Sequence, residues 1–365
     1  MNIECSVEKL KRAAQTGERM TGKNLTLPIL SSLLLVASGK SLKVRATNLS
    51  LGIEVEIPAK VTTEGVLAVR GDTLSQFLSS LDGNQMITLK EVGDTLSLAT
   101  KESRATIKTF PYEDFPTIPV VDGESFKLPL EKFVSAVKAV SYSGSTSDIK
   151  PEIASVYLYT DSSDLVAVAT DSFRLAEKRV RISNVPDISG IIVPNKNINE
   201  IIRSLDGMSG ELSVVFTKNQ ISFSFDDTYI TSRLIDGVFP DYKQIIPKTK
   251  TTSVVVLRSE LQGALKAATV FTDKFNQITF TVDVARKHFS INAKNTDIGE
   301  HTTDIPAALS GEDVTVSLNE RYVIDCFQSI TADSISIDFL GNSKPVIFKG
   351  ISDQTFTYLA MPMNR

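Results

Sequence analysis

Two cysteines and two histidines in 365 residues exclude several chemistries together. Cys5 and Cys326 cannot build a disulfide framework, and with His288 and His301 they give no recognisable zinc spacing. Cys326 lies on an apolar helical stripe and is expected in a core. No apolar run reaches the ~18 residues that a membrane span needs. The opening stretch MNIECSVEKLK has no signal-peptide core, so the expectation is a cytoplasmic chain with no membrane partner. Neither a metal nor a cofactor is expected.

Catalytic signatures are scarce too. Neither histidine sits in a hydrolase motif or pairs locally with a plausible serine or cysteine. ATDSFRLA (169–176) offers Asp, Ser and Arg without a base, and Glu113 and Asp114, adjacent in FPYEDFP, read as a solvated turn. GERMTGKN (17–24) falls one residue short of a phosphate-binding loop: Asn24 stands where Ser or Thr would hold magnesium, and the stretch follows a helix rather than a strand. A nucleotide-binding enzyme using Gly17 to Asn24 is therefore the alternative function, and an ATP-binding titration would separate it from the reading below. No catalytic residue is assigned.

What the chain does have is repetition. At 42% hydrophobic content, 365 residues are too long for one ordinary core. SLDG occurs at 80–83 and again at 204–207, each time behind an amphipathic helix. Leu74, Phe77, Leu78 and Leu81 keep helical spacing; Ile198, Ile201, Ile202 and Leu205 repeat it, and so do Val323, Cys326, Phe327 and Ile330. A weaker amphipathic helix opens each copy: Val7, Leu10 and Ala14; Leu130, Phe133, Val134 and Val137; Leu257, Leu261, Ala264 and Leu265. Other features keep nearly the same step: Pro28 and Pro151, ATN (46–48) and ATD (169–171), DFP (114–116) and VFP (238–240).

Period-2 segments such as ELSVVF, QISFSF and DTLSLAT fill the rest, with turns at Gly93-Asp94 and Lys218-Asn219. The fold class is α+β: three tandem copies of a two-helix, antiparallel-sheet domain. Proline-bearing linkers at 115–125 and 245–253 place the domains at 1–119, 125–247 and 252–365. Open sheets leave strand edges that invite pairing. Joining units edge to edge, and closing them by head-to-tail dimerisation into a six-domain ring, removes those edges.

TLPILSSLLL (26–35), VATDSFRLA (168–176), DGVFPDYKQIIP (236–247), SLNERYVID (317–325) and YLAMPMNR (358–365) carry an end-to-end resemblance to the bacterial sliding clamp, the beta subunit of DNA polymerase III. The resemblance implies a non-catalytic homodimeric ring that encircles duplex DNA without sequence specificity. It also implies that DNA polymerase subunits and the clamp loader dock through short linear motifs.

A net charge of −4 argues against a conventional DNA binder. The helices expected at 8–19, 70–79, 130–140, 196–204, 258–268 and 319–328, however, carry 12 basic and 8 acidic residues, a net +4 that leaves −8 elsewhere. A ring holds DNA by topology, so loose phosphate contact suffices. The resemblance places Lys23, Lys150, Lys196 and Arg203 nearest DNA.

The resemblance also implies a dimer interface between the first domain of one chain and the third of the other, with Ile107 expected to meet Val270 and Phe271 and Arg104 to face Asp297, Glu300 or Asp304. The resemblance puts the peptide pocket around Ile153, Thr170, Ser172, Phe173, Arg174 and Leu175, with Pro240, Gln244 and Ile245 beside them. Asn319, Tyr322 and Pro345 join it, as do Met361, Pro362 and Met363, whose flexible thioethers suit varied ligands. Two departures from the family pattern are Phe173, commonly His, and Asn364-Arg365, usually Arg-Leu.

Overall fold

The computed structural model describes residues 1–22, 27–183 and 186–363. Among these residues six α-helices follow the expected pairs: α1 (Val7–Arg19), α2 (Gly71–Ser79), α3 (Leu130–Ser141), α4 (Asn195–Leu205), α5 (Arg258–Thr269) and α6 (Glu320–Asp325). In α1 the Ser6 hydroxyl caps the first turn by accepting from the Lys9 amide at 3.5 Å, and Val7, Leu10, Ala13 and Ala14 are buried. Gly17 lets that helix close on its sheet: a Cβ there would lie 2.8 Å from Leu33 Cδ2.

Two expectations need correction. Leu257 does not join the buried stripe of α5; it is 52% exposed because it ends the strand Thr252–Leu257 and caps the helix instead of entering it. The helix expected at 319–328 is split: Asn319 is the N-cap, accepting from the Arg321 amide at 3.0 Å, and Cys326–Gln328 form a 3-10 turn. The stripe survives the break, since Val323, Cys326, Phe327 and Ile330 are all buried.

By compactness the described chain forms two units, Met1–Glu131 with Asn199–Asp236, and Lys132–Ile198 with Gly237–Arg365. These units cut across the repeats because strands of neighbouring repeats share sheets. The first unit holds one 12-stranded antiparallel sheet. Within it Asn2–Ser6 pairs on one side with Met86–Val92 and on the other with the far end of Leu51–Thr63, so the first repeat closes on itself. The near end, Leu51–Val55, pairs with Thr228–Ser232 of the second repeat.

The second unit holds a nine-stranded and a four-stranded sheet. Here Arg174–Lys178 of the second repeat pairs with Phe356–Ala360 of the third. Both joints have one design: the strand that follows ATN or ATD in one repeat meets the last strand of the next.

The third pair of such strands is open in the protomer. Gly299–Asp304 ends the four-stranded sheet and pairs with His288–Asn295. Arg104–Lys108 pairs with Thr95–Ala99, while its far side is met only further on, where Val69 and Ala68 oppose Thr109 and Phe110. Among the described residues no helix is long and apolar enough to cross a membrane, and no cluster of three or more His, Cys, Asp or Glu is placed to hold a metal.

Candidate functional site

Strand register in the second unit assembles an apolar sheet face. Residues directly opposite in antiparallel strands point the same way. Ile347, Leu359, Leu175 and Thr170 thus form one row, and Thr357, Glu177, Val168 and Tyr157 the next. Met361 continues past Leu359, its amide donating to the Phe173 carbonyl at 2.8 Å. Pro345 is buried just ahead of the strand that carries Ile347. Phe173 stands 61% exposed at the end of this face.

The turn carrying Phe173 is locked by its own side chains. Asp171 accepts from the Phe173 and Arg174 amides at 2.9 Å each and from Arg174 Nε at 3.0 Å. Thr170 Oγ1 accepts from the Ser172 amide and donates to the Arg174 carbonyl, holding Ser172 at φ 78°, a left-handed conformation unusual for serine. Arg174 points away from Leu175, onto the opposite face. Its guanidinium lies 4.6 Å from the Tyr322 ring centroid and donates to Asp325 at 2.5 Å. Burial works against that charge, but Tyr358, Asp325 and Asp171 outweigh it and raise the pKa.

The segment 239–245 covers the far rows of the face. Phe239 stacks on Tyr157 at 4.7 Å, and the buried Tyr242 hydroxyl bonds to Glu177 and Tyr159, leaving Pro240, Gln244 and Ile245 exposed. Of the residues expected to meet at a peptide pocket, the register places Thr170 and Leu175 on one face, while Phe173, Pro345 and Met361 each lie one residue beyond a strand end. Arg174 and Tyr322 stack together on the other side, with Asn319 capping the helix that carries Tyr322. Ile153 is buried beside the turn at Ser145, which donates to its carbonyl, and Met363 donates to the Ser317 carbonyl. Sequence reasoning missed Leu359, Glu177 and Tyr242, which only long-range pairing reveals.

At the open strand Gly299–Asp304, Glu300 and Asp304 are exposed, and Asp297 lies in the exposed turn before it. Val270 is 62% exposed and Phe271 stacks on His301 at 5.4 Å. On the open strand Arg104–Lys108, both ends are basic and exposed, but Ile107 is 8% exposed, turned into its own repeat opposite Leu96. The exposed apolar residues at and beside these strands are Val270, Ile298 and Phe110, with Phe271 half-buried and little from Ile107.

Of the residues expected near DNA, Lys23 lies outside the described residues. Lys150 is exposed, Lys196 is 75% exposed and paired to Asp148 at 2.5 Å, and Arg203 is 62% exposed and paired to Glu200 at 2.7 Å. In the first unit Arg203 lines a groove of about 590 Å³ with Arg12 and Arg19 of α1. Arg12 and Arg19 are seven apart, on one helix face, a spacing that could have singled them out. Gly17 sits inside α1, and the next described structure after residue 22 is the 3-10 turn Pro28–Ser31, so no helix opens there to receive a nucleotide phosphate.

The three models of the DNA polymerase III beta subunit match the chain in order: the N-terminal domain over 1–119, the central domain over 127–241 and the C-terminal domain over 243–364. The chain belongs to the DNA polymerase III beta subunit family. It is made of three tandem beta-clamp domains. The beta sliding clamp of Treponema pallidum is 27% identical over 370 residues, 100% of this chain and 99% of its own. That of Salmonella typhimurium is also 27% identical over 370 residues, covering both chains fully. Among solved structures, the Bacillus subtilis sliding clamp superimposes with a TM-score of 0.94 at 20% identity, covering 100% of this chain and 99% of its own. A Pseudomonas aeruginosa clamp bound to griselimycin gives 0.94 at 24% identity, with 100% of each chain covered.

Proposed function

We infer that the chain is a DNA-encircling sliding clamp that tethers the replicative polymerase and other DNA-processing proteins to duplex DNA. The observation that carries this reading is the open strand pair. Two joints between repeats are made inside the chain, and among the described residues the third set of equivalent strands is not joined to each other. Supplying it from a second copy in head-to-tail fashion closes six domains into a ring and leaves no such edge free. Charge favours that pairing, since Arg104 and Lys108 would meet Asp297, Glu300 and Asp304.

Duplex DNA passes through the ring and is held by topology. Arg12, Arg19, Lys150, Lys196 and Arg203 supply loose phosphate contacts, and Lys23 belongs with them by position. The apolar face around Leu175 and Met361, rimmed by Pro240, Gln244 and Ile245, takes the short linear motifs of polymerase and loader subunits. The clamp performs no catalysis, uses no cofactor and works in the cytoplasm. Among the described residues, the nucleotide-binding alternative has no helix N-terminus to rest on.

Carried over at the repeat step, the register of the joint between the first and second repeats offers one register for the third. Leu51 opposite Ser232 and Val55 opposite Thr228 translate to Gly299 opposite Lys108 and Thr303 opposite Arg104. Ala105 should then face the partner's Thr302. An Ala105→Cys, Thr302→Cys double variant is expected to oxidise to a species of twice the 39.8 kDa chain mass, and each single variant is not. Failure of the double variant to cross-link while the protein remains dimeric would put the interface elsewhere.

A further inference from the structure

We propose that Tyr242, acting through Glu177, is the positioning residue that fixes the Pro240–Ile245 side of the peptide face and so sets the affinity for motif peptides. This rests on the reading of that face as the peptide site. Between the strands Thr228–Arg233 and Thr252–Leu257 the chain has a single regular turn, the 3-10 turn Tyr242–Gln244. Pro240, Gln244 and Ile245 are exposed and do not anchor themselves: Gln244 bonds to Asp241 within the segment, and the backbone bonds at Tyr242 and Ile245 are local. The hold on the sheet comes mainly from Phe239 and Tyr242, which are 8% and 3% exposed, with Lys243 Nζ 4.9 Å from the Tyr159 ring centroid.

Their contributions differ in kind. Phe239 stacks nearly parallel on Tyr157, with ring planes 6° apart, a contact that resists lifting more than sliding. Tyr242 adds direction. Its hydroxyl donates to Glu177 Oε2 at 2.5 Å and receives the Tyr159 hydroxyl at 2.7 Å. Burial, then Glu177 and Tyr159, push the Tyr242 phenol far above its ordinary pKa, so it stays a donor. The other Glu177 oxygen accepts from Arg179 Nε at 2.9 Å, and Arg179 Nη1 reaches Asp161 at 3.0 Å. Glu177 is only 8% exposed, so its carboxylate is a fixed, fully engaged acceptor.

Glu177 also stands next to Leu175 on the same strand face. A bond from Tyr242 to Glu177 therefore sets where Pro240 and Ile245 sit relative to Leu175 and Leu359. The Tyr242 hydroxyl ties the segment directly to the strand that carries Leu175, 65 residues away in sequence. Tyr242 itself is buried beneath the rim and does not touch a bound peptide.

The test uses the full-length dimer and a fluorescein-labelled nonapeptide with one Leu and one Phe anchor, followed by fluorescence anisotropy. Tyr242→Phe is expected to weaken binding about tenfold, the scale of one hydrogen bond to a charged group. Glu177→Gln leaves one acceptor oxygen for two donors, Tyr242 and Arg179, and should weaken binding to a similar extent. In Tyr242→Phe, replacing one of the two anchors by Ala should cost almost nothing further, while replacing the other keeps its full effect. Should Tyr242→Phe fold poorly, Tyr159→Phe removes the second hydroxyl alone and is expected to weaken binding about two- to threefold. Unchanged affinity in both phenylalanine variants, or equal loss of both anchor effects, would overturn the positioning role. Absence of binding by the unaltered chain would overturn the peptide-site reading, and the proposal with it.

Discussion

The closed joint between Leu51–Val55 and Thr228–Ser232 and the open edges Gly299–Asp304 and Arg104–Lys108 occupy the same places in the repeat, yet they are surfaced differently. In the closed joint Leu51, Ile53, Ile230, Thr231 and Ser232 are buried, so the seam continues the core. The open edges carry Glu300 and Asp304 on one and Arg104 and Lys108 on the other, all exposed. A seam that never parts can be apolar; an edge that must wait in water for a partner is guarded by charge. In the proposed dimer, opposite signs would let each edge reject its own kind and accept the other.

That contrast can be broken most severely at the apolar spot beside the acidic edge. Phe271→Asp should raise the dimer dissociation constant at least a hundredfold, since burying a phenylalanine is worth about 1.5–3 kcal/mol and a buried unpaired carboxylate costs more. Sedimentation at low micromolar concentration should show monomers with an unchanged circular dichroism spectrum. A fully dimeric variant would mean the interface lies elsewhere.

The peptide face sharpens the comparison from the other side, because its loss should leave the edges untouched. Deleting residues 361–365 removes the Met361 bond to Phe173 and the Met363 bond to Ser317. Peptide binding, roughly micromolar or about −8 kcal/mol for two or three buried anchors, should vanish while the protein still sediments as a dimer. Unaltered affinity in the truncated dimer would remove these residues from the site.

A charge tied down inside the second unit should behave unlike the edge charges. Burial alone would raise the Asp338 pKa, but bonds from Ser253 at 2.6 Å, Ser336 at 2.8 Å and Lys250 at 3.0 Å hold it below the ordinary aspartate value. A carboxyl depressed on folding contributes stability above its unfolded pKa of about 3.9 and loses it as pH falls through the folded value. Asp338→Asn is expected to cost about 1–2 kcal/mol at pH 7, and the difference should shrink in thermal melts as pH drops below about 4. The dimer constant at pH 7 should not move. A cost that persists unchanged at low pH would contradict the assignment.

The smallest effect belongs to the edge charge itself. Arg104→Ala should weaken the dimer by less than about 1 kcal/mol, and the loss should fade with added salt. A hundredfold loss would make the ion pair, rather than the Phe271 patch, the main contact.

How much of this was legible in the sequence follows the range of each interaction. The helices were legible because their stripes are local: Leu74 to Leu81 and Ile198 to Leu205 repeat within two turns. Leu257 was misplaced because a residue that ends a strand and caps a helix satisfies the helical spacing without entering the helix. Arg203 is placed by the family resemblance alone; Arg12 and Arg19 count among the basic helix residues, but nothing local shows that they share its groove. The apolar sheet face proposed for peptides is not legible in the sequence as an arrangement. Strand alternation separates Arg174 from Leu175, and the bond from Tyr242 to Glu177 spans two segments with no shared pattern.

The central claim is that the open edges close a ring around DNA. Protein loaded on nicked circular duplex DNA should remain bound through gel filtration at moderate salt, and should be lost once a single restriction cut gives it an end to slide from. Equal retention on circular and linear DNA would contradict encirclement and return the basic groove at Arg12, Arg19 and Arg203 to ordinary phosphate binding.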